Sequence, residues 1–312
     1  MSESTPVERS YRYCRRLTRA AARNFYYAIF LLPKAKRDAL CALYAFMRRA
    51  DDISDTPGDA ATKLEQMNTW RSVLDAALAG QVAADPALPA LHHAVRTFGV
   101  PARYLHDLIS GTEMDLGPAS YDTFAALREY CYRVAGAVGL CCIHVFGFRD
   151  SRAPELAERL GIAFQLTNIL RDVKADHQMG RVYLPGEDLR RFGCTPQDLG
   201  SPLAPAARQL MQFESERAWQ FYAAGNDLLP MIDEDSRPAL WALMRIYSGI
   251  LRGIESREYD VFSRGVVRLS TAHKVAVMLK AWLGFWKSEK AIEDRNRDRR
   301  GTGRAGFGRH AG

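Results

Sequence analysis

Apolar residues recur along this chain at three- and four-residue intervals, the period of helices with one buried face, and no stretch shows convincing strand alternation. The pattern predicts a helix from Val7 to Phe30, dense in aromatics at Tyr11, Tyr13, Phe25, Tyr26 and Tyr27. Pro33 opens a second helix, whose apolar face is Leu40, Leu43, Tyr44 and Met47, and Thr56-Pro57-Gly58 ends it. Further helices are expected over 60–80, 90–98, 102–116, 120–147, 153–178, 203–229, 235–260 and 269–286, with breaks at prolines and at Gly147. Gly180 to Pro202 is the longest non-helical stretch and a candidate lid. With no repeat and no linker, the expected fold class is all-α. It is a single-domain helical bundle over 1–287, followed by a basic tail, 288–312, expected to lack fixed structure.

One stretch departs from the bland amphipathic pattern. In Gln165-Leu-Thr-Asn-Ile-Leu-Arg-Asp-Val-Lys-Ala-Asp176, the polar residues Gln165, Asn168, Asp172 and Asp176 fall on one stripe of a helix flanked by apolar residues. The two carboxylates stand about 6 Å apart along the axis. Buried carboxylates are costly unless something positive meets them. Oxygen-only ligands suit a hard cation such as Mg²⁺, which keeps waters and shares substrate phosphates. A second acidic run, Asp51-Asp52-Ile53-Ser54-Asp55, closes the helix opened by Pro33, with Tyr44, Arg48, Asp51 and Asp55 on one face. Alone, such a run is usually solvated surface. Two of them, each beside an arginine (Arg48, Arg171), point to two helices holding bridging metals around a diphosphate, with guanidinium forks on the phosphates.

Composition narrows this picture without redirecting it. The 47% hydrophobic and 25% charged shares are those of an ordinary soluble protein. Six cysteines without a CxxC pair, and no apolar run of signal type, lead to the expectation of a reduced, cytoplasmic protein whose cysteines are small core residues. No window approaches the roughly 20 apolar residues of a transmembrane span. The net charge of +7 is concentrated at the end, where Arg299, Arg300, Arg304 and Arg309 meet no following acid. No basic patch with interleaved aromatics lies in the body, so no nucleic-acid partner is expected.

The chain resembles the squalene/phytoene synthase family over roughly residues 8–285. The matching stretches are FYYAIFLLP (25–33), ALYAFMRRADDISD (42–55), YCYRVAGAVG (130–139), AFQLTNILRDVKADHQMGRVYLP (163–185) and YDVFSRGVVRLS (259–270). The resemblance implies an all-α isoprenoid-synthase bundle with a central cavity. It also implies head-to-head joining of two prenyl diphosphates through a cyclopropylcarbinyl diphosphate. By the same resemblance, Asp51, Asp52 and Asp55 match the first aspartate-rich motif and Asp172 and Asp176 the second. Gln165 and Asn168 are its flanking polar positions, and three Mg²⁺ are expected, with Asp51, Asp55, Asn168, Asp172 and Asp176 as the metal ligands. Arg48, Arg171, Arg181 and Tyr183 match positions near the phosphates, and Tyr44 and Tyr130 match aromatics near the reacting carbons.

Phe25, Val134 and Gly136 are expected along the substrate chain. The glycines and alanines of 134–139 suit either a helix break with room for a prenyl chain or tight helix packing. One departure from the family is Ala22-Arg23-Asn24 where many relatives carry serines before the first Phe-Tyr. By general character the chain is closest to the presqualene diphosphate/squalene branch that feeds hopanoid synthesis, using farnesyl diphosphate, with NADPH required only for squalene. Phytoene synthesis from geranylgeranyl diphosphate is the alternative. A head-to-tail prenyltransferase, a terpene cyclase and a non-catalytic family member are the more distant ones. An apolar product predicts peripheral membrane contact, aided by the arginine-rich tail.

Overall fold

The computed structural model describes residues 5–81, 85–117, 119–200, 204–263 and 265–284, without the side chains of Arg23 and Asn24. The tail expected over 288–312 lies outside the described residues. Among the described residues there is no strand, only isolated bridges at Ser120–Val182 and Phe148–Ile232. The helices are α1 (Pro6–Ala21), α2 (Arg23–Ile29), α3 (Lys34–Asp55), α4 (Ala60–Leu78), α5 (Leu88–Phe98), α6 (Ala102–Met114), α7 (Phe124–Cys131), α8 (Ala137–Phe146), α9 (Ala153–Gln178), α10 (Gly186–Arg191), α11 (Pro205–Leu228) and α12 (Arg237–Glu255). A last helix covers 271–284.

Local chemistry sets several boundaries. Thr5 and Glu8 form a reciprocal capping box at the start of α1, and Asp59 and Thr123 cap α4 and α7 by accepting from Thr62 and Ala126 backbone N–H groups. The expected helix over 7–30 divides at Ala22, whose ψ of 63° leaves the helical region. No glycine or proline marks that break. The expected helix over 120–147 is α7 and α8 joined by a π-helical turn, Tyr132–Gly136. Of the stretch expected to be a lid or loop beside the site, residues 180–200 are described. They hold α10 and a short 3₁₀ helix, Pro196–Gly200, with the Val182 backbone N–H donating to the Ala119 carbonyl and that of Gly186 to the Tyr121 carbonyl.

α9 is the axis of the bundle: α8, α11, α12, α7 and the π turn all pack on it. Leu160, Ile162, Ala163, Leu166, Ile169, Leu170 and Val173 are buried along its length. The close crossing of α9 with the π turn and α8 needs glycine at two positions. A Cβ on Gly161 would stand 2.4 Å from the Ala135 carbonyl oxygen, and one on Gly139 2.5 Å from that of Ala157. Both meanings of the 134–139 segment therefore hold, since the helix deforms there and also packs tightly. All six cysteines are free and buried, as core residues.

Candidate active site at the mouth of the α9 cavity

A cavity of about 180 Å³ runs along α9, walled by α2, the π turn, α8 and α12. Phe25, Val134, Ala135, Val138, Phe164, Leu243 and Tyr247 give it an apolar lining. At one end Gln165 and Asn168 supply its polar groups, with Asn168 donating to the Gln165 side chain at 3.3 Å. One turn further along α9, Arg171 grips Asp172 through two guanidinium contacts, and Asp176 follows. The polar stripe on an apolar helix thus has a simple cause. Most of α9 is enclosed by other helices, and the stripe is the strip facing the cavity and its mouth.

The end of α3 brings the second acidic run to the same mouth. Burial pushes the Asp51 carboxyl up to about 6, opposed by Arg48 and reinforced by Asp55, Asp115 and Asp52. Water reaches Asp51, yet protein crowds it on several sides. Asp176 is likewise pushed up to about 6, by burial and then by Asp172, and Asp115 also acts on it. Because Asp115 repels both Asp51 and Asp176, it links the two acidic helices electrostatically. These oxygens carry more negative charge than Arg48, Arg171 and Arg181 offset, the condition a hard cation relieves. Among the described residues no three potential ligands converge into a cage for one ion. The donors at the mouth are all oxygens, the ligand type a hard divalent cation takes.

Asp115 was not anticipated. It sits at the C-cap of α6 with only Glu113 near it in sequence, and no repeated acidic spacing flags it. It accepts from the Tyr130 hydroxyl at 2.9 Å and from Tyr183 at 3.3 Å. The two tyrosine rings stack at 5.2 Å, and Tyr121 packs against both. Burial, then Asp115, raises the pKa of both hydroxyls, that of Tyr183 to about 12, so both remain protonated donors. Arg181 lies in the same charge field and opposes the upward shifts of Asp115 and Asp176.

The expected residues divide by location. Phe25, Val134, Gln165 and Asn168 line the cavity. Asp51, Asp55, Asp172, Asp176, Arg171 and Arg181 share the mouth's electrostatics, and Tyr130 and Tyr183 join them through Asp115. Tyr44 stacks on Phe25 at 6.2 Å and interacts with Asp51 and Tyr247. Two placements differ from expectation. Gly136 does not line the cavity; its missing Cβ is where Tyr132 and Glu158 press against the π turn, each at 3.2 Å. Asp52 pairs with Arg48 at 2.7 Å and lines an outer cleft with Arg49 and Trp70, because its neighbour Asp51 already occupies the face toward α9. Phe164 and Tyr247, stacked at 4.4 Å, are cavity residues that sequence reading missed, having only the spacing of core aromatics.

Comparison with known proteins extends this picture. Residues 18–273 match the family model for squalene/phytoene synthase. The chain is 39% identical to a 15-cis-phytoene synthase of Synechocystis over 89% of its own length and 86% of that protein's. It is also 39% identical to a phytoene synthase of Mycobacterium tuberculosis, over 84% and 87%. Among solved structures it resembles a dehydrosqualene synthase with TM-score 0.82 and 31% identity, covering 91% of this chain and all of that one. A squalene synthase from Alicyclobacillus acidocaldarius aligns with TM-score 0.76 and 28% identity over 82% and 97%. These relatives overturn the expected squalene-forming branch. Similarity over most of the chain runs to proteins named phytoene synthase.

Proposed function

The chain belongs to the squalene/phytoene synthase family of prenyl-transferring enzymes, and from that premise we propose that it joins two geranylgeranyl diphosphates head to head into phytoene. The observation that carries this choice is the 37–39% identity, over more than four fifths of the chain, to bacterial proteins named phytoene synthase. In this reading the cyclopropyl intermediate ends in proton loss and consumes no NADPH.

Asp51 and Asp55 on α3 and Asn168, Asp172 and Asp176 on α9 would hold Mg²⁺, with Asp115 coupled to both groups. Mg²⁺ supplies charge neutralisation as the diphosphate leaves. Arg48, Arg171 and Arg181 bind phosphate oxygens, for which a guanidinium fork is well shaped. Tyr130 and Tyr183 each give their one hydroxyl proton to Asp115, which fixes both rings beside the mouth and holds Asp115 in place there. The prenyl chains lie along α9, where Phe25, Tyr44, Phe164 and Tyr247 offer aromatic faces to a carbocation and a lining that excludes water. At about 180 Å³ the cavity is little larger than one that holds benzene, so side chains such as Phe25 must shift to admit two C20 chains. The apolar product leaves into a membrane by peripheral contact; no helix among the described residues is long and apolar enough to cross one.

Purified protein with Mg²⁺ and either geranylgeranyl or farnesyl diphosphate tests the reading by product mass. A C40 hydrocarbon from the C20 substrate, formed without NADPH, is expected. A C30 product with no C40 product would overturn it.

A further inference from the structure

The helix over 271–284 is apolar on two opposite sides. Val277 and Ala281 are buried against the bundle, at 7% and 1% exposure. About half a turn around the helix, Val275, Leu279 and Leu283 point away from it at 41%, 54% and 44% exposure, at the i, i+4, i+8 spacing of one face. Val266, just upstream, is 40% exposed. A soluble helix normally turns polar residues outward, so this outer strip is anomalous. Its charge is also one-sided: from Gly265 to Gly284 there is no acid, while Arg268, His273, Lys274 and Lys280 are basic. Arg268 and Lys280 are exposed, and Lys274 lies 5.5 Å from the ring of Tyr27. That contact seats the helix against α2, the same short helix whose Phe25 lines the cavity.

We infer that the outer face of helix 271–284 docks on an anionic phospholipid bilayer. An apolar strip with basic residues and no acid matches a surface that is apolar beneath and negative at its headgroups. A second copy of the chain fits less well. Four exposed side chains on one short helix, Val275, Leu279, Trp282 and Leu283, present less than the roughly 800 Å² per partner that a stable interface requires. The position beside α2 places the bilayer next to the cavity wall, where an apolar product needs it. This inference rests on the proposed reaction only for that motive; the surface itself is independent of which prenyl diphosphate is used. It also moves the membrane contact from the expected arginine-rich tail to an ordered helix.

The full-length protein is tested by co-sedimentation with vesicles of phosphatidylcholine alone and with added phosphatidylglycerol. Wild type should bind the anionic vesicles and bind phosphatidylcholine weakly. Val275→Gln, Leu279→Gln and Leu283→Gln combined should raise the lipid concentration for half-binding at least about tenfold. Turnover of detergent-dispersed substrate should be unchanged by these substitutions. Arg268→Glu with Lys280→Glu should remove the preference for anionic vesicles and leave the melting temperature intact. The inference fails if the aliphatic variant binds vesicles as wild type does. It fails too if the wild type is a dimer that this variant splits while vesicle binding stays the same. Loss of phytoene synthesis with vesicle binding retained would count against the reaction and not against this surface.

Discussion

Under α10, Arg217 stands 2.8 Å from both Asp188 and Glu214, with the rings of Phe124 and Phe213 against its guanidinium. At the cavity mouth, Asp51, Asp55, Asp115, Asp172 and Asp176 also gather near arginines, yet only Asp172 has one gripping it directly. Both places concentrate acids, and burial raises carboxyl pKa values in both, but the charge is closed in different ways. Beneath α10 the set is complete: burial and Asp188 push Glu214 up to about 8, so near neutral pH it keeps its proton and one arginine balances one carboxylate. At the mouth the carboxylates outnumber the arginines near them among the described residues. A sealed triad of this kind ties α10 to α11, while an unbalanced open cluster is suited to cations and the diphosphate they carry.

The sharpest way to separate the two is to neutralise one member of each. Asp51→Asn or Asp176→Asn should lower kcat by roughly 10³-fold, the scale of losing a main electrostatic contact to a leaving group, and shift unfolding by less than about 0.5 kcal/mol. Removing an unmet charge does not weaken the fold. Arg217→Ala should do the reverse, costing about 3–5 kcal/mol in denaturant unfolding by leaving buried carboxylate without a partner. Equal destabilisation by both kinds of substitution would erase the distinction.

Acidity probes it more gently. The native pKa of Glu214, about 8, lies above its ordinary 4.5, so its contribution is fully present below about 4.5 and is lost as pH rises through 8. The melting temperature of the ligand-free protein should therefore fall between pH 7 and 9, and Glu214→Gln should flatten that slope. At the mouth, Asp51 and Asp176 bind protons up to about pH 6, so acidification from 7 to 5 should weaken Mg²⁺ and diphosphate binding as protons compete for the same oxygens. Calorimetric titration of an inert diphosphate with Mg²⁺ at both pH values measures that smaller effect.

The comparison also explains what could be read from sequence. The α9 stripe was legible because four polar residues at helical spacing interrupt an apolar helix, and the Asp51–Asp55 run because an acidic pair repeats within one turn. Asp115 left no such trace, since its tyrosine partners come from distant parts of the chain. Of the Asp188–Glu214–Arg217 triad, Glu214 and Arg217 stand at i, i+3, but only the folded bundle brings Asp188 to them. The helices themselves were visible from their period. The break at Ala22 was not, since no glycine or proline marks it, whereas the glycines and alanines of 134–139 did flag a deformable stretch, which overlaps the π turn at Tyr132–Gly136. Val275, Leu279 and Leu283 were seen as part of a helix, but only burial shows which of its apolar sides faces outward.

The central claim is that the mouth between α3 and α9 is completed by Mg²⁺ and diphosphate together. Thermal unfolding with an unreactive thio-analogue of geranylgeranyl diphosphate, with and without Mg²⁺, addresses it directly. The wild-type melting temperature should rise by several degrees only when both are present, since a ligand at 100 times its Kd adds about 2.7 kcal/mol. Asp51→Asn and Asp176→Asn should each remove most of that rise. An equal rise without divalent cation, or an undiminished rise in both variants, would contradict the account.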